Sequence, residues 1–464
     1  MSTIQKLCEK LWQLEDEFDL LDLEIQNVKV WQYIRIQLYY EIAEKTGALE
    51  TPHSHKKSYF SRLVKIYSYT KSLLFFNPFF TLHRCFDEVV IEHPRSKIID
   101  GKSIDIYSHY YLDKLRKNEL SYIVLDRPFL NGVHSKTDTR QRSYLDTLIL
   151  ISTLRAIFYP VRFKDKDKDL IKVVQEALTN KFGVEINLFK IFTSAITKFK
   201  SNYAMYSILF SKWRPEKLTM VVSYAYGDAI QAAKDLCIET VELQHGTLSR
   251  YHLGYSFPNR VEKLEYFPDK FLAWGEYWVS MDVLPLSKSN VKIEGFTHFI
   301  NLRDGYNKIV RNKNQILILS QGALGPQIAD EVLANIEGLS DYVLIYKLHP
   351  GEYSRWRDYK SLVVLSQLPN VKIVKDEDIY KLFSESFFQV GVFSTAIYEG
   401  IGFSCKTILL DLPGIEYMQD LINNDVVNVL RKEETIYEVV KKLTADENIN
   451  NDVSYKLFSA PSDI

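Results

Sequence analysis

Cysteine is scarce and scattered in this chain. Cys8, Cys85, Cys237 and Cys405 lie far apart and form no CxxC pair. Disulfide frameworks and zinc sites need closer or patterned cysteines, so this spacing excludes both and points to a reducing cytoplasm. No stretch approaches 18 consecutive apolar residues, which argues against a transmembrane helix. The opening MSTIQKLCEKLWQLEDEFDL reads as a charged amphipathic helix and lacks the pattern of a signal peptide. Net charge is nearly absent, with 58 Lys and Arg against 59 Asp and Glu. That balance argues against an extended nucleic-acid surface, so no nucleic-acid partner is expected. Internal repeats and low-complexity tracts are missing too.

What the chain does have is length and aromatic rings. Its 464 residues exceed one ordinary core, so two domains of roughly 200 residues each are expected. Aromatics make up 13%, including 30 Tyr and 26 Phe; they can line a sugar site or simply pack. The first 85 or so residues carry helical spacing through Leu7, Leu11, Leu14 and Phe18, then Trp31, Ile34, Ile36 and Leu38. Residues 56–80 follow, with Lys56, Lys57, Arg62, Lys65 and Lys71 beside Leu73, Leu74, Phe75 and Phe76. This segment suits either peripheral docking on an anionic inner-membrane face or a buried helix whose lysines cover its solvent side.

From Glu88 the pattern changes to short apolar runs separated by helical stretches. Strands are expected at EVVIEH (88–93), IDIYS (104–108), LSYIVLD (120–126), LTMVVSYAY (218–226) and ETVELQHG (239–246). A second series comprises NQILILSQG (314–322), DYVLIYKLHP (341–350), NVKIVKD (370–376), FFQVGVFS (387–394) and KTILLDLP (406–413). Strands alternating with helices imply βαβ units, hence two open parallel α/β sheets. The junction is expected in the polar stretch 296–313, giving domains 1–305 and 306–464. Ligands of open α/β sheets bind at the carboxyl ends of the strands, so a cleft between two such domains is where chemistry is expected.

Four strand ends carry candidate chemistry. In YKLHPGE (346–352), His349 and Pro350 end a strand, where proline costs no ladder bond and an imidazole can reach a phosphate oxygen. His93-Pro94 in VVIEHPR repeats the dipeptide and reads as a decoy. In VGVFSTAIYEGIG (390–402), Ser394 and Thr395 open a helix; they either cap it or, with its free N–H groups, hold a phosphate. Glu399, one turn down, suits the two hydroxyls of a ribose, or is a solvated helix glutamate. In SQGALG (320–325), Gln321 and Gly322 begin a two-glycine turn that lets backbone approach a ligand, though it is no Walker or GxGxxG pattern. In ELQHGTLSR (242–250), Gln244, His245 and Gly246 follow a buried strand. His245 is a sensible general base for an acceptor hydroxyl, or else a capping histidine.

Acidic clusters are less informative. Asp165, Asp167 and Asp169 alternate with lysines as a solvated charge run, while Asp376 and Asp378 follow a strand and border the possible base pocket. No His, Cys and carboxylate grouping has metal-ligand spacing, so no metal is expected.

The order QHGT, then WGEYW (274–278), LHP and FSTAIYEG is more specific than any piece of it. Across residues 218–415 the chain resembles bacterial surface-polysaccharide transferases, the capsule and lipopolysaccharide glycosyltransferases related to polysialyltransferases and CDP-glycerol glycerophosphotransferases. The resemblance implies a GT-B-like fold, two Rossmann-type α/β domains facing a central cleft, here with a helical N-terminal region. With no metal-ligand grouping in the sequence, a metal-independent enzyme without a resident cofactor is expected. A nucleotide-activated sugar would be the co-substrate, and a glycan or glycolipid of capsule, O-antigen or lipopolysaccharide the acceptor. His349-Pro350 and Ser394-Thr395 become donor contacts, a pairing that favours CMP- or CDP-activated donors over UDP, GDP or dTDP forms. His245 falls where the glycerophosphotransferases have a basic histidine in a WHGT-like motif, with Gln244 replacing the tryptophan. An acidic-acidic-Gly motif of the sialyltransferase type is not evident, the nearest being Tyr226-Gly227-Asp228. Alditol-phosphate transfer for teichoic-acid-like polymers is the alternative enzyme; a non-catalytic assembly scaffold of the same shape is the alternative without chemistry.

Overall fold

The computed structural model describes residues 3–48, 67, 69–81, 85–94, 96–128, 134, 136–137, 141–158, 161–258, 260, 264–445 and 451–460. Two parallel sheets organise them. The first contains β1 (Glu88–Ile91), β2 (Tyr122–Asp126), β3 (Arg142–Tyr144), β4 (Lys217–Val221), β5 (Glu239–Leu243), β6 (Lys270–Ala273) and β7 (Val291–Ile293). The second contains β8 (Asn312–Leu319), β9 (Val343–Lys347), β10 (Val371–Val374), β11 (Ser386–Gly391), β12 (Lys406–Leu410) and β13 (Asn428–Leu430). Every pairing in both sheets is parallel. The first sheet runs β3-β2-β1-β4-β5-β6-β7 and the second β10-β9-β8-β11-β12-β13. Both therefore have the doubly wound order in which the direction of winding reverses beside the first strand. The reversal falls between β1 and β4 in one sheet and between β8 and β11 in the other. Two Rossmann-type α/β domains are what the strand pattern implies, and together they make the GT-B-like arrangement that the resemblance implies.

Sequence reasoning placed nine of these strands and failed instructively on others. IDIYS was expected as a buried parallel strand. Instead Lys102–Ile104 pairs antiparallel with Lys97–Ile99 in a small hairpin, turned by Asp100 and Gly101 in left-handed backbone. Asp105 cannot continue the strand, because its side chain is committed to the backbone N–H groups of His93 and Tyr107. Strands β3, β6, β7 and β13 were missed; each is only three or four residues long. The polar stretch 296–313 contains regular structure. Thr297–Gly305 is a helix whose Phe299 is fully buried and stacks on Phe458 at 3.9 Å.

The N-terminal helices α1 (Thr3–Glu17) and α2 (Val30–Lys45) bury the apolar face predicted from their spacing, including Leu7, Leu11, Leu14, Trp31, Ile34 and Leu38. Arg35 of α2 is buried and pairs bidentately with Glu15, at 2.6 and 2.9 Å. Its remaining nitrogen donates to the carbonyls of Leu253 and Ser256 at 2.5 and 2.8 Å. Such a charge is tolerable in the interior because it is paired with a carboxylate and each of its three nitrogens donates. The consequence is positional: helix α2 fixes the loop that carries Tyr255. Of the basic segment, Lys56, Lys57, Arg62 and Lys65 lie outside the described residues; Leu74, Phe75 and Phe80 are exposed. Among the described residues no helix is long and apolar enough to cross a membrane.

Candidate functional site between the two sheets

Each sheet presents its carboxyl edge to the other. The turn after β5 carries Gln244, His245 and Gly246. The turns after β8, β9 and β11 carry Gln321-Gly322, His349-Pro350 and Ser394-Thr395. The two sets meet: a Cβ built on Gly246 would lie 3.9 Å from Thr395 Oγ1. The structure thus brings together two turns that are far apart in the chain, at residues 246 and 395.

On the side of the first sheet, His245 is partly buried. Its Nδ1 lies 3.0 Å from Tyr255 Oη, and Tyr255 in turn donates to Glu242 Oε1 at 2.5 Å. A carboxylate only accepts, so the tyrosine hydrogen is committed to Glu242 and its oxygen must accept from His245 Nδ1–H. That leaves Nε2 as the basic nitrogen, with Tyr224 Oη 3.5 Å away. Glu242 and Tyr255 are both fully buried, which rigidifies this relay. Burial raises the Tyr255 phenol well above its ordinary range, and the neighbouring Glu242 charge adds to the effect, so the tyrosine stays protonated. Behind it His252 is pushed down to about 4 by burial and by its proximity to His245, and remains neutral. Gln244 is buried, and its amide is occupied: it accepts from Trp274 N at 2.8 Å and donates to Gly246 O at 2.9 Å. It therefore shapes the turn that presents His245.

On the side of the second sheet three turns interlock. Gln321 donates to Phe393 O and accepts from Phe393 N at 3.2 Å, tying the turn after β8 to the one after β11. Gly322 leaves the space that the His349 ring occupies; a Cβ there would be 3.1 Å from Nδ1. His349 Nδ1 accepts from Gly351 N at 3.1 Å, which places the ring hydrogen on Nε2. His349 N–H donates to Glu352 Oε2 at 2.8 Å, and Ser320 Oγ donates to Glu352 Oε1 at 2.9 Å. Glu352 is fully buried and was not singled out from sequence, although its place three residues after His349 has the spacing of a capping box. Its carboxylate sits over Gly325, where a Cβ would strike it. The two glycines of SQGALG thus make room for the protein's own His349 and Glu352.

Ser394 stands at the N-cap of the helix Thr395–Gly402 and makes no capping hydrogen bond, so its hydroxyl is not spent on the helix. Glu399 accepts from Tyr380 Oη at 2.9 Å. Burial raises the Glu399 carboxyl above its usual range, opposed by the Tyr380 hydroxyl and by Lys97. Lys97 reaches over from the 97–104 hairpin and lies 4.6 Å from the Tyr380 ring. Beside His245, a cavity of about 500 Å³ opens at the strand ends, lined among others by Tyr107, Tyr110, Trp274, Phe296, Lys114 and Glu294. Asp165, Asp167 and Asp169 begin a helix remote from these turns, and Asp378 caps the helix Ile379–Glu385. Among the described residues no three His, Cys, Asp or Glu side chains group to hold a metal ion.

No family model matches the chain, and no curated protein matches its sequence. Solved structures do share its general shape. One is the UDP-GlcNAc 2-epimerase of Methanocaldococcus jannaschii, 10% identical over 78% of this chain and 92% of that one, with a TM-score of 0.47. Another is the UDP-GlcNAc 2-epimerase of Neisseria meningitidis bound to UDP-GlcNAc, 13% identical over 80% and 93%, TM-score 0.45. A third is MurG of Acinetobacter baumannii, 11% identical over 80% and 94%, TM-score 0.46.

Proposed function

We propose that this chain is a metal-independent glycosyltransferase. It moves a sugar from a nucleotide-activated donor, CMP-linked in preference, to a hydroxyl of a capsule, O-antigen or lipopolysaccharide glycan. The observation that carries the reading is the approach of Gly246 to Thr395, which sets a basic imidazole directly across from a turn with an unspent serine hydroxyl. In this reading His349 Nε2–H, Ser394, Thr395 and the helix N-terminus behind them hold the donor phosphate, with Pro350 fixing the turn. Glu399 meets the ribose hydroxyls. The acceptor lies toward the aromatic cavity, where the half-buried Tyr107 supplies a ring for a sugar and the buried Trp274 packs behind it.

The chemistry balances without a further reactant. The acceptor hydroxyl gives its proton to His245 Nε2, and its oxygen bonds the anomeric carbon. The bond from that carbon to the phosphate oxygen breaks, and the electron pair leaves with the nucleotide. Fixed donors aimed at that growing charge are the main catalytic device, worth roughly 10²–10³ in rate for each well-placed donor. Isothermal titration with CMP, CDP, UDP and GDP tests the reading. Binding of a cytidine nucleotide in preference to the others is expected, and failure to bind any nucleotide would overturn it. If the product gains phosphorus, alditol-phosphate transfer replaces sugar transfer on the same site.

A further inference from the structure

The dipeptide His93-Pro94, which as sequence is a decoy, stands at the place in the first sheet where a ligand is expected. It follows β1, and β1 and β4 flank the point where strand order reverses. Its backbone is clamped from both sides by buried charge. The His93 N–H donates to Asp105 Oδ2 at 2.9 Å, and its carbonyl accepts from Lys136 Nζ at 2.6 Å. Lys136 is held by Asp126 at 2.5 Å and Glu92 at 3.3 Å, and Arg142 also pairs with Glu92. Charges removed from water are costly unless each is matched, so this network is a large outlay for the end of one strand. The same device recurs at His349. There too the histidine N–H meets a buried carboxylate, Glu352, and in both places that carboxylate also accepts a serine hydroxyl, from Ser108 at 3.0 Å and Ser320 at 2.9 Å.

The ring so fixed is half-buried and faces the candidate base. The centroids of His93 and His245 are 6.0 Å apart with planes inclined by 24°, and Tyr107 meets both rings edge-on, at 5.5 and 6.1 Å. At that separation the two imidazoles are too far apart to bond each other, yet near enough for a single oxygen to reach both. We propose that His93 is a second catalytic residue on the acceptor side, hydrogen-bonding the hydroxyl whose proton passes to His245. This rests on the transferase reading above. His93 orients the oxygen and His245 takes its proton, so the two histidines differ in what can replace them.

The test uses the full chain with His93→Ala, His93→Gln and His245→Gln. His93→Ala is expected to lower kcat about 10- to 100-fold, the size of one hydrogen bond to substrate, while nucleotide Kd by calorimetry stays within about twofold. His93→Gln retains an amide that can bond the hydroxyl and should recover to within about fivefold of the unaltered protein; His245→Gln should not recover, since an amide cannot take a proton. A His93→Ala protein with kcat and acceptor KM within about twofold of normal would overturn the proposal, as would equal loss in His93→Ala and His93→Gln. If the unaltered protein binds no nucleotide, the transferase reading itself has failed. Imidazole ¹⁵N spectra then decide the pairing: a His245 titration displaced in His93→Ala sustains it, and an unmoved titration removes it.

Discussion

At the scale of single residues, the base role proposed for His245 depends on a hydrogen held within the protein. Tyr255 accepts from Nδ1 because its own hydrogen is donated to Glu242, and this leaves Nε2 as the nitrogen that would take a proton in the proposed reaction. If that relay matters, His245→Ala should lower turnover about 10²- to 10⁴-fold with nucleotide affinity nearly unchanged. Tyr255→Phe should cost less, about tenfold, and should release the tautomer, which ¹⁵N imidazole shifts report directly. Near-normal turnover in His245→Ala would instead favour a mechanism in which the leaving phosphate accepts the proton. The sequence showed His245 because a polar QHG after a buried strand is conspicuous. It did not show Glu242 as a partner, since an acidic residue inside an apolar run reads as an interruption, nor Tyr255, which comes ten residues later and one tyrosine among 30.

At the scale of elements, the turns at the strand ends of the second sheet hold one another in place. The helix Gly325–Ala334 begins under the Glu352 carboxylate, and Glu352 also holds the His349 N–H. A negative charge at a helix start is favourable, and here the chain supplies it itself. Gly325→Ala would drive a methyl into that carboxylate. Expelling Glu352 leaves the His349 N–H and the Ser320 hydroxyl without their partner, so we expect destabilisation of about 1–3 kcal/mol together with weakened nucleotide binding. Thermal melting and calorimetry on the same variant check both; unchanged affinity would show that His349 does not depend on Glu352. The strand-turn-helix rhythm made these elements legible, because parallel strands buried on both faces appear as unbroken apolar runs. The edge strands β3, β7 and β13 did not, for at three residues each they carry too little pattern to stand out from turns. The purpose of the SQGALG glycines was equally hidden, since sequence indicates that space is left but not which side chain fills it.

At the scale of the whole molecule, the two sheets are joined by more than the single passage between them. After the last helix of the second sheet the chain returns, and residues 451–460 pack against the first. Trp278 Nε1 donates to Leu457 O at 2.8 Å, and Ser459 N donates to Trp274 O at 3.0 Å. Phe458 is almost fully buried between Trp274 and Phe299, at centroid separations of 5.7 and 3.9 Å. A second tie joins helix α2 to the second domain, where the Tyr39 and Tyr417 hydroxyls lie 2.5 Å apart. Relative motion of two such domains is the ordinary expectation unless the surface between them is well packed. Phe458 is the aromatic that fills this junction, and truncating a buried Phe costs about 3–5 kcal/mol. Because that cost falls on the junction and on neither sheet's interior, Phe458→Ala should do more than lower stability. Urea unfolding of the unaltered chain is expected as one cooperative transition; in Phe458→Ala it should broaden or split, with a smaller slope for the first phase. A variant that unfolds in one transition with an unchanged midpoint would show that the returning segment does not couple the domains, and the cleft would then owe its geometry to other contacts, among them the 297–305 helix, the tyrosine pair and the Trp278–Tyr398 ring contact.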